Sequence, residues 1–131
     1  MQATPQTVLV VDDEPAICKA LTIALSREGY AAVSAVNGES AYAILRARHV
    51  DVLVLDLRIS DHRGDVIYAM ATAQQPHLAR RTLFITGDIS LRAEEIIQAC
   101  QCPLLRKPFE LRELIGLVQG LAEGSAESAT A

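Results

Sequence analysis

The run Val52-Leu53-Val54-Leu55-Asp56 limits the fold more than any other stretch of the chain. Four aliphatic residues, two of them β-branched, stop abruptly at a carboxylate. An unbroken apolar run this short fits a strand buried on both faces, the environment of a parallel sheet covered by helices. Open α/β sheets bind ligands at the carboxyl ends of their strands, so Asp56 stands where chemistry is expected. Asp is also a common loop starter, and one strand does not choose between the two readings.

The same pattern recurs along the chain. Thr7–Val11 is a second continuous apolar run, and it ends in Asp12-Asp13-Glu14. Pro15 then suits the first turn of a helix, where its missing N–H costs nothing. Ile17, Leu21 and Leu25 repeat at helical spacing, and Gly29 is a stop signal. Residues 31–36 form a weaker strand expected near a sheet edge, and Asn37-Gly38 reads as a turn. Ala41, Ile44 and Leu45 mark a second helix, with Arg46 and Arg48 near its C-terminal end, where the dipole favours cations. After Asp56 comes a polar loop from Arg58 to Arg63, closed by Gly64. A third helix is expected from about Asp65, carrying Val66, Ile67 and Met70, with Pro76 beyond its end.

Thr82–Thr86 is the fourth strand, followed by Gly87-Asp88. Ala93, Ile96, Ile97 and Cys100 fall at i, i+3, i+4 and i+7 of a fourth helix. Residues 103–106 make a short last strand ending at Lys107-Pro108. Leu111, Leu114, Ile115, Val118 and Leu121 give the fifth helix its stripe. Five strands alternating with five helices imply one doubly wound parallel sheet in a single α/β domain. Residues 1–6 read as a disordered lead, 7–123 as the domain, and 124–131 as a flexible tail or the start of a linker.

Asp12, Asp13, Asp56, Thr86 and Lys107 all follow strand ends, and therefore share one edge of such a sheet. Three crowded carboxylates repel one another and call for a cation. An all-oxygen set favours a hard ion, Mg²⁺ before Ca²⁺. A cation, a hydroxyl from Thr86 and an ammonium from Lys107 are what a transferring phosphoryl group needs for its oxygens, and a carboxylate can be its nucleophile. Each residue also has an ordinary role open to it: Asp12 or Asp13 as a helix cap, Thr86 as a strand residue, Lys107 as a solvated charge.

Composition excludes several functions. A net charge of −4 without a basic run makes a poor nucleic-acid or membrane-surface binder. No apolar stretch approaches the ~20 residues of a membrane span, and the start lacks a signal-peptide core. Three cysteines, an odd number, point to reduced thiols and a cytoplasmic location. Cys100 and Cys102 form a C-x-C, of which one is expected in the core. His49, His62 and His77 are scattered without metal-ligand spacing. Phe109 reads as core.

VLVVDDEP at 8–15, VLVLD at 52–56 with Gly64 beyond, FITGD at 84–88 and LLRKPF at 104–109 together resemble the receiver domain of two-component response regulators. The resemblance covers roughly residues 7–122. It implies a flavodoxin-like (βα)5 fold with strand order 2-1-3-4-5. It implies that Asp56 is phosphorylated from a histidine kinase or phosphotransfer protein. The implied Mg²⁺ (or Mn²⁺) ligands are Asp12, Asp13, Asp56 and the backbone carbonyl of Arg58. Thr86 and Lys107 are the implied phosphoryl contacts, and the peptide bond to Pro108 is cis by the same resemblance.

By position, Arg58 and Asp88 would flank the hydrolytic water and tune the phosphoryl lifetime. Such a domain phosphorylates and dephosphorylates itself without being a turnover enzyme. Its expected partners are an output domain or protein, or a homodimer through the fourth helix, last strand and fifth helix. Direct nucleic-acid or membrane contact is not expected. This chain departs from the family at Ser60, usually Pro, and at the switch position Leu104, usually Tyr or Phe. Leu104 has no ring to swing, so readout is expected through the backbone of residues 87–90.

Two rival readings share some of these residues. A haloacid-dehalogenase type phosphohydrolase also uses Asp, Thr/Ser and Lys, but needs Asp-x-Asp after the first strand, where this chain has Asp12-Asp13. The other is a receiver-fold interaction module signalling with an atypical, non-aromatic switch or without phosphorylation; the intact acidic set argues against it and Leu104 argues for it.

Overall fold

The computed structural model describes residues 4–59, 63–87 and 91–124, the side chains of 91–94 excepted. Asp88, Ser60, His62 and residues 89–90 lie outside the described residues. Five parallel strands form one sheet in the order β2-β1-β3-β4-β5. They are β1 (Thr7–Val11), β2 (Ala31–Ala35), β3 (Val52–Asp56), β4 (Thr82–Thr86) and β5 (Leu104–Arg106). The helices are α1 (Pro15–Arg27), α2 (Gly38–Ala47), α3 (Gly64–Gln74), α4 (Leu91–Cys100) and α5 (Leu111–Ala122). A 3-10 turn over Pro76–Arg80, which the proline alone did not disclose, follows α3.

The side-chain alternation of the strands divides the core in two. Leu9, Val11, Leu53, Leu55 and Phe84 face α2 and α3, with Ile96, Ile97 and Leu104 packed against the same layer. Val8, Val10, Val52, Val54, Leu83 and Ile85 face Leu21 and Leu25 of α1 and Leu114 and Val118 of α5. β1, β3 and β4 are buried along their whole length, so an apolar run without alternation is what the two layers require.

Local chemistry fixes the helix ends. α1 begins at Pro15 and ends in a Schellman turn: Tyr30 N–H donates to Leu25 O at 3.2 Å, and Gly29 N–H to Ser26 O at 3.1 Å. Gly29 takes φ 95°, which an L side chain rarely adopts. Asn37 does not make a free turn with Gly38. Its Oδ1 accepts from Ser40 N–H at 2.8 Å, so it caps α2, and Gly38 is the first helical residue. α3 likewise starts one residue before Asp65, at Gly64. Before β1, Gln6 is already tied down: its carbonyl accepts from Ala31 N–H at 2.8 Å and its amide donates to Ala122 O at 3.2 Å.

Candidate functional site

Strand register builds the site. Val11 pairs with Leu55, Asp56 with Ile85, and Thr86 with Arg106. The next residue along β1 is Asp12, beside Asp56, and the next along β5 is Lys107. Its N–H donates to Thr86 O at 2.8 Å. Asp12, Asp13, Asp56, Thr86 and Lys107 thus meet at the C-terminal edge of the sheet, around its three central strands and β5. The Lys107–Pro108 peptide bond is cis.

Asp12 and Asp56 are buried and are held in matching ways. Asp12 Oδ1 accepts from Glu14 N–H at 2.9 Å, and Asp56 Oδ1 from Arg58 N–H at 2.9 Å. Each is an Asx turn, in which a carboxylate folds back on its own backbone two residues on. Their other oxygens face Lys107. Its ammonium donates to Asp56 Oδ2 at 2.7 Å and to Glu14 Oε1 at 3.2 Å, and lies 2.8 Å from Asp12 Oδ2. That last contact is a charge pairing outside hydrogen-bond geometry, so the buried Asp12 Oδ2 has no hydrogen-bond partner. Neither Asp12 nor Asp13 caps α1, whose N-cap is Glu14.

Carboxylate oxygens of Asp12, Asp13 and Asp56 all lie within 4.8 Å of one another. With Glu14 the cluster carries four negative charges against the single ammonium of Lys107. Burial pushes the Asp56 carboxyl above its ordinary range and the Asp12 charge adds to this, against the lowering by Arg58 N–H and Lys107. Burial alone would pull the Lys107 ammonium down, but Asp12 and Asp56 outweigh it and hold it above the usual lysine range. The excess negative charge and the all-oxygen donors, with one Lys107 ammonium shared between Asp12 Oδ2 and Asp56 Oδ2, fit a hard divalent cation. Such an ion would be held by Asp12, Asp13 and Asp56.

Gly64 permits this approach. A Cβ there would stand 2.6 Å from Leu57 Cα and 2.7 Å from Asp56 O. Its N–H donates to Leu57 O at 2.9 Å, and Arg58 and Arg63 form an antiparallel bridge beside it. The start of α3 is therefore pressed directly onto the end of β3, a role that the sequence offset of Gly64 from Asp56 did not reveal.

Other singled-out residues fall elsewhere. Leu104 is half-buried on β5, in register with Phe84, and packs against the α2/α3 layer. Phe109 packs partly against the other layer and lines an apolar groove of about 420 Å³ with Glu14, Ile17 and Lys107. The histidines are less scattered than their spacing indicates: the rings of His49 and His77 stack with centroids 4.6 Å apart at the opposite edge of the sheet. They are not part of the acidic cluster. Cys102 is the buried member of the C-x-C, and Cys100 is half-buried.

Fold and site define a class: a doubly wound α/β domain with a lysine-bridged carboxylate cluster at the carboxyl edge of its sheet. The sequence model of the response regulator receiver domain matches residues 8–119. TcrX, a probable transcriptional regulatory protein of Mycobacterium tuberculosis, is 33% identical over 112 residues, which cover 85% of this chain and 47% of that protein. GlrR, a transcriptional regulatory protein of Escherichia coli, is 30% identical over 126 residues, covering 96% of this chain and 28% of GlrR. The chain thus spans less than half the length of these two relatives.

Among solved structures, a CheY-like receiver domain protein from Methanospirillum hungatei superposes with a TM-score of 0.88 at 20% identity, covering 95% of this chain and 99% of that one. A response regulator from Burkholderia pseudomallei, solved with a phosphorylated aspartic acid, a calcium ion and citrate, gives a TM-score of 0.78 at 26% identity. That match covers 95% of this chain and 74% of the other. The chain belongs to the response regulator receiver domain family.

Proposed function

We propose that Asp56 accepts a phosphoryl group from the phosphohistidine of a histidine kinase or phosphotransfer protein. The carrying observation is the Asp56 carboxylate itself. It is buried, fixed at Oδ1 by Arg58 N–H at 2.9 Å, and faced at Oδ2 by the Lys107 ammonium at 2.7 Å. Asp12, Asp13, Asp56 and the backbone carbonyl of Arg58 would hold Mg²⁺ or Mn²⁺. When bound, the ion neutralises the crowded carboxylates and draws charge from phosphoryl oxygens.

One Asp56 oxygen attacks phosphorus as the bond from phosphorus to the donor imidazole nitrogen breaks. An acyl phosphate forms, and the imidazole leaves with the electron pair. Lys107 stays beside Asp56 and turns its ammonium toward a phosphoryl oxygen, while the Thr86 hydroxyl takes another. The group is lost again by attack of water, so the domain is a phosphoacceptor with intrinsic autodephosphorylation. We assign the tuning of that lifetime to Arg58 and Asp88.

Residues 7–123 act as the folded unit, preceded by a lead (1–6) and followed by a tail or linker (124–131). We place it in the cytoplasm, signalling through an output domain or partner, or through a homodimer over α4, β5 and α5, without direct nucleic-acid contact. No helix among the described residues is long and apolar enough to cross a membrane. With Leu104 at the switch position, the signal leaves through the backbone after Thr86.

The test is intact mass after treatment with acetyl phosphate and Mg²⁺. The chain should gain one phosphate, labile to hydroxylamine, and Asp56→Asn should gain none. A full phosphate on that variant moves the site elsewhere.

A further inference from the structure

The C-x-C at the end of α4 takes no part in the acidic site. Cys100 is the last residue of α4, and Cys102 lies two residues on, just before β5. Gln101 between them has φ 59°, the left-handed region uncommon for a non-glycine residue, and its N–H donates to Ile97 O at 2.8 Å. The chain therefore leaves the helix in a tight bend. An extended residue would send the flanking side chains along one direction but leave their Cα atoms far apart, whereas a bend draws them together. Cys102 Sγ lies 3.7 Å from Cys100 O, and the two thiols are close enough for each to perturb the other. A disulfide needs Cα atoms about 4.4–6.8 Å apart, a span that a bent three-residue segment meets.

We propose that Cys100 and Cys102 form a reversible intramolecular disulfide, making the joint between α4 and β5 a redox-modification site whose co-substrate is a low-molecular-weight disulfide such as oxidised glutathione. Cys100, the more exposed of the two, attacks first as its thiolate. The S–S bond of the reagent breaks, one thiol leaves, and a mixed disulfide forms on Cys100. Cys102 then attacks Cys100 Sγ and expels the second thiol. The two protein thiols lose two electrons and two protons, and the reagent is reduced to two thiols. Burial, with the neighbouring Cys102 and Asp65 charges, pushes the Cys100 thiol up to about 11, so the first step is slow at neutral pH.

Cys102 Sγ now meets Ala79 O at 3.8 Å and shares a core layer with Phe84 and Tyr68, so bonding to Cys100 would act on both contacts. The change falls two residues before Leu104.

The full chain is incubated with excess oxidised glutathione, unfolded in denaturant, alkylated, and cleaved with trypsin. Peptide 93–106 should lose the mass of two hydrogens and escape alkylation, while Cys18 is alkylated. Unfolded oxidised protein should then titrate one thiol where reduced protein titrates all three. Dithiothreitol should restore them. Cys18→Ser should oxidise as wild type does, and Cys100→Ser, at the half-buried position, should not form the bond. Full alkylation of the peptide, glutathione retained on a single cysteine, or disulfide-linked dimers would each overturn the proposal.

Discussion

Replacing Gly64 by alanine and Gly116 by alanine makes the same chemical change with opposite expected signs. At Gly64 the new Cβ would sit 2.6 Å from Leu57 Cα and 2.7 Å from Asp56 O, both backbone atoms that cannot rotate away. Ordinary carbon contacts lie near about 3.5–4.0 Å, so the start of α3 and the end of β3 must part by roughly 1 Å. Overpacking of this kind costs about 1–3 kcal/mol. For a domain of this size that lowers Tm by about 3–15 °C. The displaced atoms carry Asp56, and a shift of about 1 Å in a reacting group can cost on the order of 10²-fold in rate. At Gly116, inside α5, a Cβ meets nothing within 4 Å. Alanine there removes the entropic penalty of a helical glycine and should stabilise by about 0.5–1 kcal/mol. The assays are thermal melts by circular dichroism and the initial rate of phosphorylation by acetyl phosphate. Gly64→Ala should melt lower and phosphorylate slowly, and Gly116→Ala should melt higher at an unchanged rate. If Gly64→Ala melts and reacts like wild type, the contact between α3 and β3 does not hold Asp56 in place, and the reasoning fails.

Three further outcomes are expected. The Asp56 carboxyl is raised in the folded state, so the fold holds its proton more tightly than the unfolded chain and this group adds stability as pH falls toward its ordinary 3.8. Asp56→Asn should flatten that part of the pH dependence of Tm measured without divalent ions, and an undiminished slope refutes the assignment. Millimolar Mg²⁺ should raise Tm of the wild type, by about 1.4 kcal/mol of stability at an ion concentration tenfold above Kd, and Asp13→Ala should respond much less; an equal response removes Asp13 from the ligand set. Arg58→Ala keeps the backbone N–H that holds Asp56 Oδ1, so phosphorylation should persist while the decay of the phosphorylated form changes severalfold. Unchanged decay takes the Arg58 side chain out of the mechanism.

The fold class was legible because its signals are local. Apolar runs without alternation at Thr7–Val11 and Val52–Asp56 fit strands buried on both faces, and the helical stripes between them supply the covering layers. The acidic and basic positions were legible for a related reason: each lies at the last residue of a strand or within two residues after it, and a parallel sheet puts all such positions at one edge. Contacts between distant segments were not legible. The stacking of His49 on His77 joins the α2–β3 loop to the 3-10 turn, and residue spacing carries no trace of it. Asn37-Gly38 reads as a turn, yet Asn37 caps α2 and Gly38 opens it, because a turn and a helix cap use the same side-chain bond to nearby backbone. Most of all, the sequence placed Asp12, Asp56 and Lys107 at one edge, but their distances depend on register across three strand pairings and on how closely Gly64 lets α3 approach. The tertiary structure alone decided that one ammonium touches both buried carboxylates, at 2.8 Å from Asp12 Oδ2 and 2.7 Å from Asp56 Oδ2. Distances of that order are set by the whole core, because each strand is held by the packing of its neighbours rather than by its own residues.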